Sequence, residues 1–360
     1  DSCIEKEGVD CMLSLIQDVY TSNGVEASYD VFDYFLNNSR EFTEVGCHRS
    51  AHRIGDVAYY NDYLKHNDLT KMKFPDRSIA CGYGYYHGFL EHLIQDNPDP
   101  VFVEDTCKYF DSRLGKRMPQ IRLVCFHGAG HGFTLSQADD LSGKYWGNAL
   151  AYAEPAMKKC EAIKSANTKE VDDCRQGVFN VILEWMEDGD FGLVYDGLKS
   201  FEICRDLSAD HRYDCYYEMG QNTAFLSGFD ISRAAEIAAA ESQYGGEKIL
   251  MYLAGSGMTY SHEQIKKFMG DCLTVPEHLR RVCIRGIIGG FMEHGIPSTQ
   301  FTLAEDLCSQ EEFGTEVQGI CFDRLFTKMT RFFSENAQKE LCLSSGTGFQ
   351  QMCREKGLVL

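Results

Sequence analysis

The chain has 360 residues, of which 44% are apolar and 12% aromatic, and this composition is typical of a globular protein with one or two large domains. Its 54 acidic side chains outnumber 35 basic ones, for a formal charge of −19, and no Lys/Arg-rich run could follow a phosphate backbone. We therefore expect no nucleic-acid partner. No apolar run reaches the roughly 18 residues of a membrane span, so no transmembrane segment is predicted.

The cysteines indicate an oxidising compartment. There are 16 of them, an even number, and they scarcely use the Cys-x-x-Cys spacing of zinc ribbons and thioredoxin-like sites. Disulfides are therefore predicted, as in secreted proteins. The chain opens at "DSCIEKEG" without a Met or a signal-peptide core. We expect a mature chain that is secreted, extracellular or periplasmic, from which a leader has been removed.

Taken in chain order, the predicted elements repeat. A unit that begins Cys-x-x-Gly and continues with a helical pattern recurs as "CGYGYYHGFLEHL", "CFHGAGHGFTL", "CRQGVFNVILEWM" and "CIRGIIGGFMEHG", from Cys81, Cys125, Cys174 and Cys283. Looser copies start at Cys47, Cys215 and Cys321, and one without its cysteine starts at Met251. Successive starts are 32 to 49 residues apart. That period is typical of two-helix repeats.

A second helical segment lies between most unit starts and carries a cysteine near its C-terminal end. Pairing this cysteine with the next unit start predicts six hairpin disulfides: Cys107–Cys125, Cys160–Cys174, Cys204–Cys215, Cys272–Cys283, Cys308–Cys321 and Cys342–Cys353. Each would contribute on the order of 3 kcal/mol by constraining the unfolded chain. Cys3, Cys11, Cys47 and Cys81 are left, and all three pairings among them stay open.

The predicted fold is all-α, with about seven to eight disulfide-stapled helical-hairpin repeats in an α/α toroid or a strongly curved α-solenoid. Glycine at the third position after the cysteine would let neighbouring inner helices approach closely. The stretches "YYHG" and "CFHGAGHG" resemble the inner-helix starts of the lanthionine cyclases, a resemblance of a few residues that implies an α/α toroid. The Cys/Cys/His zinc set of that family has no counterpart here. We predict a single domain, 1–360, with histidine-rich repeats in 1–135 and further cysteine-stapled repeats in 136–360.

Six of the 11 histidines fall at three unit starts, and their spacing predicts a metal site. His48 and His52, and likewise His127 and His131, are four residues apart, which puts both imidazoles of a pair on one helix face. His87 stands four residues before Glu91. Such pairs also arise by chance, but these recur in phase with the repeat. The predicted metal ligands are His48, His52, His87, His127 and His131. The predicted catalytic groups are Glu91 and His92.

Imidazole-rich ligand sets are typical of Zn, Cu or Fe and not of Ca or Mg. The sequence therefore predicts a secreted metalloprotein that acts as a metal-dependent oxidoreductase or hydrolase on a small-molecule, peptide or glycan substrate. One alternative is a metal-free carbohydrate-active α/α-toroid enzyme that uses Glu91, Glu184, His87 and neighbouring tyrosines. Another is an extracellular helical-repeat scaffold that binds a protein or peptide.

Overall fold

The computed structural model describes residue 3 and residues 8–39, 41–42, 47–140, 143–220, 230–245, 247–256, 262–294 and 299–358. Most residues in these ranges are helical, and no strand occurs in them, in agreement with the predicted all-α class. None of the helices described there combines the length and the apolar character that a membrane crossing requires.

The described ranges contain eighteen α-helices of five residues or more. They are α1 (Gly8–Asn23), α2 (Val25–Asn38), α3 (Cys47–Ala58), α4 (Ala80–Asp96), α5 (Pro100–Leu114), α6 (Ile121–Asp140), α7 (Ala149–Glu161), α8 (Thr168–Asp188), α9 (Glu202–Asp206), α10 (Ala209–Met219), α11 (Ile231–Ala240), α12 (Glu247–Ser256), α13 (His262–Cys272), α14 (Glu277–His294), α15 (Gln300–Cys308), α16 (Gly314–Phe332), α17 (Glu335–Ser344) and α18 (Thr347–Glu355). A π-helical turn, Tyr59–Tyr63, and the short segment Leu64–His66 extend α3.

Side-chain caps determine where several of these helices begin. Asp99 accepts a hydrogen bond from the backbone N–H of Val101 at the start of α5, where proline occupies the first helical position. At the start of α8, Asn167 and Glu170 form a reciprocal capping box. The same helix stops at Gly189, whose φ of 76° is readily adopted only by glycine. Local sequence therefore fixes the lengths of the hairpin arms.

All six hairpin disulfides predicted from cysteine spacing are present. Each joins one helix to the next along the chain, across 11 to 18 residues: Cys107–Cys125, Cys160–Cys174, Cys204–Cys215, Cys272–Cys283, Cys308–Cys321 and Cys342–Cys353. A seventh bridge joins Cys3 to Cys11. Seven disulfides are consistent with a secreted or extracellular protein.

Cys47 and Cys81 make up the remainder of the sixteen cysteines. They are buried at the beginning of α3 and of α4, and their side chains are in hydrogen-bond contact with each other.

We expect exchange with an external disulfide donor to oxidise the thiols of Cys47 and Cys81 to an eighth bridge, with release of two protons and transfer of two electrons to that donor. Denatured, unreduced protein should then gain no mass on thiol alkylation. A gain of two alkyl groups would contradict this pairing.

The helices that contain the predicted unit starts pack side by side in chain order. Successive members of this row are in contact: α3, α4, α6, α8, α10, α12, α14 and α16. Helix α14 also contacts α4. Nearby, the Tyr83 hydroxyl donates to the backbone carbonyl of Arg331 at 3.1 Å, and the Tyr83 ring lies 5.6 Å from that of Phe332. Helices near the beginning of the row therefore touch helices near its end.

Candidate metal centre

Glycine residues allow α3 and α4 to pack with their backbones in contact. A β-carbon on Gly84 would lie 2.4 Å from the carbonyl oxygen of His48, and one on Gly88 would lie 2.2 Å from that of His52. Both distances are far shorter than any normal van der Waals contact, so a larger residue at either position would push the helices apart. This close approach brings the side chains of the two helices into one cluster.

Helices α6 and α8 also pack with their backbones in contact. A β-carbon on Gly177 of α8 would be 2.0 Å from the carbonyl oxygen of His127, and one on Gly130 of α6 would be 2.0 Å from that of Cys174. Gly84 and Gly177 both stand three residues after a unit-start cysteine, so the predicted reason for that glycine, helix–helix approach, is confirmed at these two positions.

The five predicted histidine ligands form one cluster across α3, α4 and α6. The imidazole centroids of His52 and His131 are 6.1 Å apart, and those of His87 and His131 are 5.8 Å apart. His48 lies 4.9 Å from His87, and His127 lies 4.8 Å from His87, again between centroids. Three helices thus contribute to a shared group of imidazoles.

Within this cluster, His52, Glu91 and His131 have converging ligand atoms. Glu91 Oε2 lies 3.3 Å from His52 Nε2 and 3.2 Å from His131 Nδ1. One ligand atom from each of the three residues lies within 4.8 Å of the other two. Ligand atoms about 2.0–2.1 Å from a tetrahedral ion are separated by about 3.3 Å, so these distances match the edges of such a site. We call this group the His52 set.

Neighbouring groups orient the His52 set. The second ring nitrogen of His52, Nδ1, lies 3.5 Å from Asp56 Oδ1. A carboxylate on this side of the ring favours a proton on Nδ1, which leaves the other nitrogen available to an ion. His131 is 1% exposed, and its Nε2 is buried without a hydrogen-bond partner in the described part of the chain. A buried nitrogen without a partner is rare in proteins, and the His52 set uses the other ring nitrogen of His131, Nδ1.

His48, His87 and His127 lie beside the His52 set. His48 Nε2 is 3.2 Å from His87 Nδ1, and the other nitrogen of His48, Nδ1, is 2.8 Å from the carbonyl oxygen of Cys81. The pKa of His87 is well below its usual range because the ring is buried and because His127 and His48 are close. Burial and the nearby His131 similarly lower the pKa of His127. Both rings are therefore neutral at physiological pH, the form that binds metals.

His92, which was predicted as a catalytic group, faces Asp56 and one oxygen of Glu91. Its Nε2 is 3.4 Å from Asp56 Oδ1 and 3.8 Å from Glu91 Oε1. Ligand atoms of Asp56, Glu91 and His92 also lie within 4.8 Å of one another. Asp56 was not singled out from the sequence, although it stands four residues after His52 on the same helix face.

The carboxylates and the imidazoles of this region shift each other's pKa values. Burial alone would raise the pKa of Glu91, but the charge of His52 and hydrogen bonds from His131 and His52 lower it below its usual range. Burial lowers the pKa of His52, yet Glu91 and Asp56 raise it well above normal. The pKa of His92 shifts in the same way, because burial lowers it while the neighbouring carboxylates of Asp56 and Glu91 raise it overall. An ion bound here would replace the proton that otherwise compensates these two carboxylates.

Residues named in the carbohydrate-enzyme alternative occupy different environments. Of the tyrosines near the first two predicted unit starts, Tyr83, Tyr85 and Tyr86 are at most 1% exposed and pack in the core, whereas Tyr60 is 54% exposed. Glu184 is exposed to solvent, yet desolvation by surrounding protein raises its pKa, against the nearby charges of His131 and His52. Glu184 is therefore close enough to His131 and His52 for their charges to act on its carboxyl group.

Comparisons of the chain with family models, with curated proteins and with solved structures find no match.

Proposed function

We propose that this protein is a secreted, transition-metal-dependent enzyme whose ion is held by His52, Glu91 and His131. The observation that carries the proposal is the convergence of their ligand atoms within 4.8 Å, on three helices that glycine contacts hold together. In this proposal His48, His87 and His127 lie around the ion. They stabilise its position or bind it in an alternative coordination.

The identity of the ligands favours particular chemistries. Two imidazoles and one carboxylate form the ligand set of zinc hydrolases such as thermolysin, with the fourth position open to water. The same composition is found in mononuclear iron oxygenases, where open positions take O₂ and substrate. In either case the ion would supply a Lewis acid and an activated oxygen ligand, while this chain's own residues orient it and hold protons nearby. Zinc content would therefore indicate hydrolysis, and iron content would indicate oxygen chemistry.

We further propose that the row of unit-start helices closes into an α/α toroid. Support comes from the contact of α14 with α4 and from the Tyr83 hydrogen bond to Arg331. In a closed ring the histidine cluster and Glu184 would lie on the inner surface. Substrate would then enter through the hollow of the ring, where many side chains can reach it at once.

A metal-free glycan hydrolase is the second candidate, and one specific observation favours it. Glu184 has a raised pKa and Glu91 a lowered one, which is the pattern of a general acid and a general base. Under this alternative, activity would survive chelation and would be lost in Glu184→Gln. Under the metal proposal, chelation abolishes activity.

Metal content of protein purified without an affinity tag tests the main proposal. We expect at least one equivalent of Zn, Cu or Fe per chain, because the His52 set has the donor chemistry of these ions. His131→Ala should reduce that content at the His52 set to background. His66→Ala is the matched control, since His66 is exposed and belongs to neither group of converging ligand atoms, and its metal content should equal that of the wild type. Metal-free wild-type protein, or a folded His131→Ala variant with full metal content, would overturn the proposal.

A further inference from the structure

We propose that a second metal ion is bound by Asp56, Glu91 and His92, so that Glu91 bridges two ions. This inference rests on the proposed function, because the bridging carboxylate belongs to the His52 set. It adds a ligand, Asp56, and assigns His92 to an ion of its own. We call the second group the Asp56 set.

The two oxygens of Glu91 face different partners. Oε2 is the atom that lies 3.3 Å from His52 Nε2 and 3.2 Å from His131 Nδ1. Oε1 is the atom nearest His92, 3.8 Å from its Nε2. A carboxylate whose oxygens face two separate donor groups has the geometry of a bridging ligand. Ions bridged in paired metal sites are typically about 3.5–4 Å apart.

Asp56 lacks a good partner for its buried oxygen. The residue is 9% exposed, and its Oδ1 is buried with no hydrogen bond inside the described ranges, since His52 and His92 approach it only to 3.5 and 3.4 Å. Arg53 Nη1 reaches the other oxygen, Oδ2, at 3.5 Å from a half-exposed position. Burying a carboxylate is costly unless a cation or strong hydrogen bonds compensate it. An ion between Asp56 and His92 provides that compensation.

The imidazole of His92 has a hydrogen-bonding group behind it, as metal-ligating imidazoles commonly do. Its Nε2 faces Asp56 and Glu91, while its other nitrogen, Nδ1, is 3.4 Å from the hydroxyl of Tyr60. A hydrogen-bonding group behind a ligating imidazole is the common arrangement around protein-bound metals. The Tyr60 ring also lies 4.9 Å from the His92 ring between centroids, which limits the rotation of the imidazole.

The Asp56 set adjoins a cavity, which the ion would share with substrate. Asp56 and His92 are part of the wall of a cavity of about 460 Å³ between α1, the end of α3 and α4. The rest of the wall is mostly polar, with Gln17, Asp18, Thr21, Arg53, Tyr60 and Asn61. Such a lining provides hydrogen-bond donors, acceptors and one cation. We infer that the second ion meets a small polar substrate that bears an anionic or hydroxyl group, which Arg53 and the ion can bind together.

Counting the bound ions tests this inference. Co²⁺ is the probe, added in stoichiometric steps to metal-stripped protein and counted by native mass spectrometry. Wild-type protein and the His66→Ala control should each bind two ions. Asp56→Asn, which preserves the size of the side chain, and His92→Ala should each bind one. Circular dichroism would verify that the variants retain their helical content, and Asp56→Asn serves where His92→Ala does not fold.

Magnetic coupling provides a second readout. Two Co²⁺ ions bridged by Glu91 interact, so the electron paramagnetic resonance signal per cobalt should be weaker in the wild type than in Asp56→Asn. Binding of a single ion that is lost in His131→Ala but retained in Asp56→Asn would overturn the second site and leave the proposed function standing. Binding of no ion by the wild type would overturn both. Two ions that persist in Asp56→Asn and in His92→Ala would also overturn the Asp56 set.

Discussion

Glu91→Gln is expected to lower the affinity for the metal by on the order of 100-fold or more. The substitution keeps the size of the side chain but removes its negative charge. It also replaces one oxygen by an amide nitrogen, which is a poor ligand. Even residues that only support a metal ligand change affinity 10–100-fold, and Glu91 contacts both His52 and His131 directly. Competition with a chelating dye at constant pH measures the change.

A matched control for this variant is Glu154→Gln. Glu154 is exposed on α7, so the same change of charge there alters the net charge of the protein equally but leaves the site intact. We expect its metal affinity to equal that of the wild type. A folded Glu91→Gln variant that binds metal as tightly as Glu154→Gln would exclude Glu91 as a ligand.

Gly88→Ala is expected to destabilise the metal-free protein by about 2 kcal/mol or more and to weaken metal binding as well. Its β-carbon would lie 2.2 Å from the backbone oxygen of His52 and 2.7 Å from Asp56 Oδ1, so α3 and α4 must separate. Overpacking a well-packed interface typically costs about 1–3 kcal/mol. Separation would also move His52 away from Glu91. Urea unfolding of the chelated protein measures the stability without a contribution from bound metal.

Gly319→Ala controls for the general effect of adding a methyl group to a helical glycine. Gly319 lies in α16, and a β-carbon there would meet nothing within 4 Å. Alanine is favoured over glycine in a helix by up to about 1 kcal/mol, so this variant should be as stable as the wild type or more so. Equal stability of Gly88→Ala and Gly319→Ala would contradict the close packing of α3 on α4.

Local patterns in the sequence were sufficient to predict the helical hairpins and their disulfides. Each bridge joins cysteines 11 to 18 residues apart, so the pairing follows from the order of two adjacent helices. Spacing by four also predicts which imidazoles share a helix face. His48 and His52 lie on one face of α3 for this reason, and their rings are 6.3 Å apart between centroids.

The rotation of each helix about its axis determines which histidines reach Glu91, and residue spacing alone does not give this rotation. Of the five predicted histidine ligands, His52 and His131 meet Glu91 with their ligand atoms. Close contacts fix how α4 lies against α3, at Gly84 and Gly88, and against α6, at Gly132. The same contacts bring Asp56 close to His92. This pair joins two helices, so the spacing of residues within either helix does not predict it.

Backbone conformation at the start of α4 was equally beyond prediction. Cys81 and Tyr83 have φ values of 56° and 65°, in the left-handed region that residues other than glycine rarely adopt. The turn directs the carbonyl oxygen of Cys81 to His48 Nδ1. Nothing in the letters "CGY" distinguishes this conformation from an ordinary helix start, so the orientation of His48 could not be inferred from sequence.

The most direct test of the metal site is X-ray diffraction from crystals of the metal-loaded protein, recorded on both sides of the absorption edge of the bound metal. We predict an anomalous peak about 2 Å from His52 Nε2, Glu91 Oε2 and His131 Nδ1. An anomalous map with no peak among these three atoms, from crystals of protein saturated with metal in solution, would contradict the account.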